Sequence, residues 1–237
     1  MKKYQTAEDV LNALNELRDE EKVIFKEKKY GIKTTDSLGI MQKDLKALAK
    51  TIEKNDGLAL ALFDSGIYEA RLLVPMLFNP KNITPALIDQ WVACFDTWEI
   101  CDTFCMSFIG QSDYSYDKIF EYTQKETEFQ KRAGFAMMVG YHFGHKSAPN
   151  EDFLEFIPRI KEESHDGRNF VKKAINWALR TIGKRNVDLN KIAIKTAYEI
   201  LKQDFKSAQW IAKDAIKELE SPNVKIQQYP RSIYSPK

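Results

Sequence analysis

Apolar residues recur at three- and four-residue spacing along nearly the whole chain, and strand-like alternation is absent. That period predicts α-helices throughout. Breakers fall at short intervals: Asp56-Gly57, Ser65-Gly66, Asn79-Pro80, Thr84-Pro85, Ala148-Pro149-Asn150, Asp166-Gly167 and Ser221-Pro222. The segments between them mostly suit one helix each, roughly twelve in all, with Thr6, Asp36, Thr84, Asp113, Asn150 and Ser207 as expected N-caps. No linker or low-complexity tract divides the chain before the end. Residues 1–220 therefore read as one helical domain, and 221–237 as a C-terminal tail.

A repeat is superimposed on the helical period. Phe129-Gln-Lys-Arg132, Phe170-Val-Lys-Lys173 and Trp210-Ile-Ala-Lys213 share the pattern aromatic-x-x-basic, with the aromatics 41 and 40 residues apart. Tyr68-Glu-Ala-Arg71 and Trp98-Glu-Ile-Cys101-Asp102 fall in the same phase at shorter spacing. A period near 40 in an all-α chain marks stacked helix pairs of the HEAT-like kind, each burying its apolar face on its neighbours. The expected fold is an all-α, right-handed solenoid of antiparallel helix pairs. Stacking equivalent helices side by side would align Arg71, Arg132, Lys173 and Lys213 and give the curve a basic concave face, a shape suited to a phosphate backbone.

Charge sharpens this. The whole chain carries a formal net charge of only +2. From Arg168 onward there are 15 Lys and Arg against 6 Asp and Glu, a net +9, so the preceding part carries −7. Such asymmetry points the C-terminal region toward a polyanion, although a well-solvated helical surface gives the same count. Apolar runs are only a few residues long, far short of the roughly 20 that a spanning helix needs, so no membrane is expected. After Met1-Lys2-Lys3 the chain turns polar with no secretory apolar core, and its three cysteines include no Cys-x-x-Cys pair. A cytoplasmic monomer is the expectation.

One member of the row is out of place. Where the repeat expects Lys or Arg, it supplies Asp102, four residues after Trp98 and so on the same helix face. A carboxylate in a phosphate-binding groove repels the ligand and asks for a reason. A salt bridge to Arg132 on the next helix pair is one; catalysis is another.

At these residues the chain resembles a family. Trp98-x-x-x-Asp102, Phe129-Gln-Lys-Arg132-Ala133 and Phe170-Val-Lys-Lys-Ala174-Ile-Asn-Trp177-Ala-Leu-Arg180, in that order and spacing, are similar to the AlkD-type bacterial DNA glycosylases. Tyr30-Gly31-Ile32-Lys33-Thr34 resembles that family's N-terminal region, and the likeness runs from about residue 25 to about 215. It implies a HEAT-like solenoid that excises N3- and N7-alkylated purines from duplex DNA. It also implies Asp102 as the catalytic carboxylate, Trp98 and Trp177 flanking the lesion nucleotide, Arg132 beside them, and Arg180 on a phosphate. Thr34, Lys172, Lys173, Lys184, Arg185 and Lys213 complete the expected DNA-contacting set. Phe129 stands where the family often has Trp, and Asn169-Phe170 supplies half of an aromatic pair.

The chemistry is self-consistent. Alkylation at N3 or N7 makes the purine cationic and a good leaving group, and the glycosidic bond then breaks with oxocarbenium character. A nearby carboxylate stabilises that cation and can orient a water. Tryptophan faces add cation–π attraction of about 0.5–2 kcal/mol each. The substrate carries much of its own activation, so no metal or cofactor is expected. Many glycosylases extrude the base into a pocket; a solenoid offers a groove instead. His142-Phe-Gly-His145 has ligand-like spacing without completing partners, and Cys101 and Cys105 read as small packing residues. Two other classes compete: a non-catalytic solenoid that binds damaged or branched nucleic acid, and a protein scaffold.

Overall fold

The computed structural model describes residues 4–32 and 35–236, and among these there are fourteen α-helices, two short 3-10 turns and no strand. The helices are α1 (Ala7–Glu16), α2 (Glu20–Tyr30), α3 (Gln42–Ala49), α4 (Asp56–Asp64), α5 (Tyr68–Leu77), α6 (Pro85–Ala93) and α7 (Trp98–Ser107). They continue as α8 (Ser115–Thr123), α9 (Glu128–Gly144), α10 (Asn150–Glu163), α11 (Asn169–Gly183), α12 (Val187–Leu201), α13 (Lys206–Leu219) and the short α14 (Arg231–Tyr234). No described helix is long and apolar enough to cross a membrane.

Two rows result. In the front row α3, α5, α7, α9, α11 and α13 each pack on the next. Behind them α4 packs on α5, α8 on α9, α10 on α11 and α12 on α13, with α10 bridging α8 and α12. The aromatic-x-x-basic repeat therefore marks the front row, because Tyr68, Trp98, Phe129 and Phe170 each stand at the first or second residue of their helix. Trp210 does not. It sits one turn deeper in α13, which starts at Lys206, so the last copy of the repeat is displaced by a turn.

Helix α9 is the keystone. Its residues from Lys131 to His142 are all buried, as a helix apolar on every side must be when it lies between neighbours. Close approach is secured by absent side chains: a Cβ at Gly134 would collide with the backbone of Tyr122 and Thr123, and one at Gly140 with the Cys105 carbonyl.

Thr6 and Thr84 cap α1 and α6 as expected, each accepting a backbone N–H. The other four expected caps are displaced. Asp36 lies in a loop, α8 follows Tyr114 rather than Asp113, Asn150 is already helical after Pro149, and Ser207 is the second residue of α13. In each case the backbone turned a residue or more away, so the cap hydrogen bond is missing or made elsewhere.

Two features depart from amphipathic packing. Among the described residues the one buried side chain of α2 is Lys26. Its Nζ donates to the Ile40 carbonyl at 2.8 Å and lies 3.6 Å from Glu69, which is itself fully buried and accepts from Ser37 Oγ and the amides of Leu38 and Ile40. The segment from 221 on turns back onto the body: Gln227 and Tyr229 amides donate to the carbonyls of Lys184 and Arg185, and Tyr234 reaches Asp188 and Asn150.

Candidate nucleic-acid interface

Helix α7 sets the centre of the site. The Thr97 hydroxyl accepts from the Ile100 amide and starts the helix there, which places Trp98 in its first turn and Asp102 one turn on. The indole N–H of Trp98 donates to the Tyr30 carbonyl at 2.9 Å, and the two rings meet edge-on at 6.5 Å. Tyr30 in turn packs edge-on against the exposed Phe25.

Asp102 and Arg132 come together across the α7–α9 contact. Arg132 Nε and Nη2 donate to the two carboxylate oxygens at 2.9 and 2.7 Å, and Nη1 donates to the Phe170 carbonyl at the start of α11. The salt bridge therefore forms, and it is bidentate, the strongest geometry open to such a pair. Arg132 is 5% exposed, whereas the Asp102 side chain keeps 17%. Burial pushes the Asp102 carboxyl above its ordinary range, and Arg132 pulls it back in part. Burial opposes the charge on Arg132, but the carboxylate outweighs that and raises its pKa.

Glu99, one turn before Asp102, went unread in the sequence. It accepts from Gln42 Nε2 at 3.1 Å and from the Tyr68 hydroxyl. Burial, with the Glu99 charge behind it, holds the Tyr68 phenol far above its usual range. Glu99 lies near enough to Asp102 for its charge to raise that carboxyl further, so two acids stand one turn apart within a row that the sequence reads as cationic. Its three-residue offset from Asp102 was the available signal.

The remaining expected residues separate. Trp177 is half-buried on α11 and shares no ring contact or hydrogen bond with Asp102 or Arg132 among the described residues. Lys173 and Lys213 are exposed, and Lys172 lies over the Trp210 ring at 5.3 Å. Arg180 and Lys184 are ion-paired with Glu218 on α13. Arg71 is buried against Asp96 and the Cys94 carbonyl, which removes it from the expected row. Thr34 lies outside the described residues.

Arg185 is corrected outright. It is fully buried, its Nη2 donates to the carbonyls of His145, Lys146 and Ala148 and its Nη1 to that of His142, and its guanidinium lies 4.1 Å from the Phe153 ring centre. It closes the C-terminal end of α9 and cannot reach a phosphate. Nearby, His145 stacks on Tyr141 at 4.2 Å.

Paired helices stacked in this order define the class: a HEAT-like repeat fold. A solved structure described as a new family of proteins related to the HEAT-like repeat DNA glycosylases, with affinity for branched DNA structures, superposes with a TM-score of 0.72 at 19% identity, covering 90% of this chain and 95% of that one. No curated protein matches the sequence. The family model for DNA alkylation repair enzyme matches residues 10–219, and the chain belongs to that family.

Proposed function

We propose that this protein is a DNA glycosylase that excises cationic N3- or N7-alkylated purines from duplex DNA. The observation that carries the reading is the exposed edge of Asp102. Arg132 occupies one lone pair on each carboxylate oxygen and fixes the group's orientation, while 17% of the side chain stays exposed, one turn along α7 from Trp98. A carboxylate held still and aimed at the sugar stabilises an oxocarbenium ion without reorganising as charge develops. With Glu99 one turn away, the local field favours a cationic base over a neutral one, which is selectivity as well as catalysis.

Trp98 is locked by its bond to Tyr30 and presents a ring face for cation–π contact. Trp177 stands on α11, the fifth front-row helix, as the second wall once DNA spans the groove. Lys173 and Lys213, with Lys172, Arg180 and Lys184, hold the backbone. Duplex DNA carrying one 7-methylguanine, incubated with the protein and treated with alkali, should be cleaved at the resulting abasic site. An intact strand at enzyme excess overturns the reading.

A second reading has its own support. Arg132 gives three of its donors to protein acceptors, leaving the Asp102 pair as sound structure without any chemistry. The structural relative is described by its affinity for branched DNA. A non-catalytic binder of branched DNA would then bind a four-way junction more tightly than a linear duplex and leave 7-methylguanine in place.

A further inference from the structure

The two best-placed phosphate ligands of the C-terminal end are already occupied. Glu218, in the last turn of α13, accepts from Arg180 Nη1 with one oxygen and from Lys184 Nζ at 2.5 Å with the other. Asp214, one turn earlier, lies 3.6 Å from Arg180 Nε. Two cations thus meet two carboxylates, and the patch is neutral at rest although the surrounding segment is strongly basic. Burial opposes the charge on Glu218, but Lys184 and Arg180 outweigh it and hold the carboxyl below its ordinary range.

The bridging geometry is what a DNA phosphate would use: two oxygens on one atom, each taken by a different cation. The pairing is also incomplete. Arg180 Nε is buried and makes no hydrogen bond among the described residues, so the guanidinium is held by one corner. Both cations and Glu218 retain 25–33% side-chain exposure, and a surface groove lined by Lys184, Lys217, Lys225, Asp214 and Glu218 opens beside them. A ligand can therefore reach the patch and compete with Glu218 for the two cations.

We propose that Glu218 is an internal phosphate mimic: it occupies the seat of one DNA backbone phosphate on Arg180 and Lys184, and must be displaced when DNA binds. This rests on the reading of Arg180 and Lys184 as phosphate ligands. Its consequence is a lowered general affinity. Displacement subtracts from the affinity for every DNA, damaged or not, so undamaged duplex is released sooner. A displaced carboxylate also takes up a counterion from solution and partly cancels the counterion release on which binding depends.

Binding of an undamaged 25-base-pair duplex across a salt series, read by fluorescence anisotropy, tests this with four proteins besides the wild type. Glu218→Gln should bind about 3- to 10-fold more tightly at low salt, with a salt slope steeper by about 0.9. Glu218→Ala, a second removal of the charge, should behave alike. Glu220→Gln, at the same helix end but bonded to Tyr198, should shift affinity by less than about twofold and leave the slope unchanged. The pair Arg180→Gln with Lys184→Gln should weaken binding about 10-fold or more. If that pair weakens binding but the Glu218 variants match Glu220→Gln, Glu218 is no phosphate mimic and the DNA reading stands. If the Arg180/Lys184 pair binds normally, the phosphate reading of these cations fails and the proposal falls with it.

Discussion

Replacing Asp102 with asparagine keeps the side chain's size and removes its charge, so the two roles of this residue separate in one variant. The ion pair is bidentate and its arginine is 5% exposed. Removing one partner of a buried pair costs about 3–5 kcal/mol. Asparagine retains one acceptor and Arg132 retains the Phe170 carbonyl, which places the expected loss near the lower end, about 3 kcal/mol. At roughly 2–4 °C per kcal/mol for a chain of this length, Tm should fall by about 6–12 °C. Loss of the transition-state charge should lower single-turnover excision of 7-methylguanine by about 10²- to 10³-fold, as removing one electrostatic stabiliser does. Excision must be measured well below the variant's Tm, with circular dichroism confirming the folded state, and with DNA affinity expected to hold or rise. Normal excision alongside a lowered Tm would refute the catalytic assignment and leave the carboxylate as structure.

Excision should depend on pH through the same group. Burial raises the Asp102 carboxyl above 3.8, so the rate, corrected for spontaneous depurination, should rise with pH through a midpoint above that value and then level; a midpoint below it would count against Asp102. The overall affinity for duplex should fall with salt with a slope near −4.5, since Lys172, Lys173, Arg180, Lys184 and Lys213 each neutralise a phosphate at about −0.9, or about −3.6 where Glu218 is displaced; a flat salt titration would favour a protein scaffold. Arg185→Met should cost about 3 kcal/mol or more, because the carbonyls of His142, Lys146 and Ala148 lose its guanidinium and that of His145 keeps only the Ala148 amide, yet shift DNA affinity of the folded protein less than about twofold; a large loss of affinity with normal Tm would restore it to the binding set. Burial, then Arg185, depresses the His142 pKa to about 3 from 6.5. The unfolded chain therefore binds a proton that the native state refuses between those values, and stability should decline as pH falls from 6.5, by at most about 1.4 kcal/mol per unit. His142→Leu should flatten that limb in denaturant titrations.

The helical class and the front row were readable because both are periodic. A 3.6-residue pattern survives any tertiary context that keeps one face buried, and a 40-residue repeat reports the stacking of pairs. Partners across the stack were not readable. Asp102 and Arg132 could be matched because the repeat places them on adjacent front-row helices. Arg185 stands one residue from Lys184 in an apparently basic stretch, and nothing local tells that one side chain turns inward under the tail while the other faces a groove. Glu218 was counted among the few acids of a basic segment, and net charge averages away the geometry by which a single carboxylate silences two cations. Trp210 misled for a different reason: the four-residue motif recurs whether or not its helix starts in phase.

Helix α2 has a consequence for how the molecule breathes. Most helices here are fastened by apolar area, which resists opening in proportion to the surface exposed. α2 is fastened by a lysine inserted between Glu69 and the Ile40 carbonyl, and by the indole of Trp98 on its last carbonyl. Releasing it exposes little oil, so its amides should exchange with deuterium well ahead of those in α9 and α11. Lys26→Met, which leaves the buried Glu69 without its cation, should quicken that exchange and lower global stability as well. The helix that holds the Trp98 indole in place then opens ahead of α9 and α11, fastened by charge where they are fastened by packing.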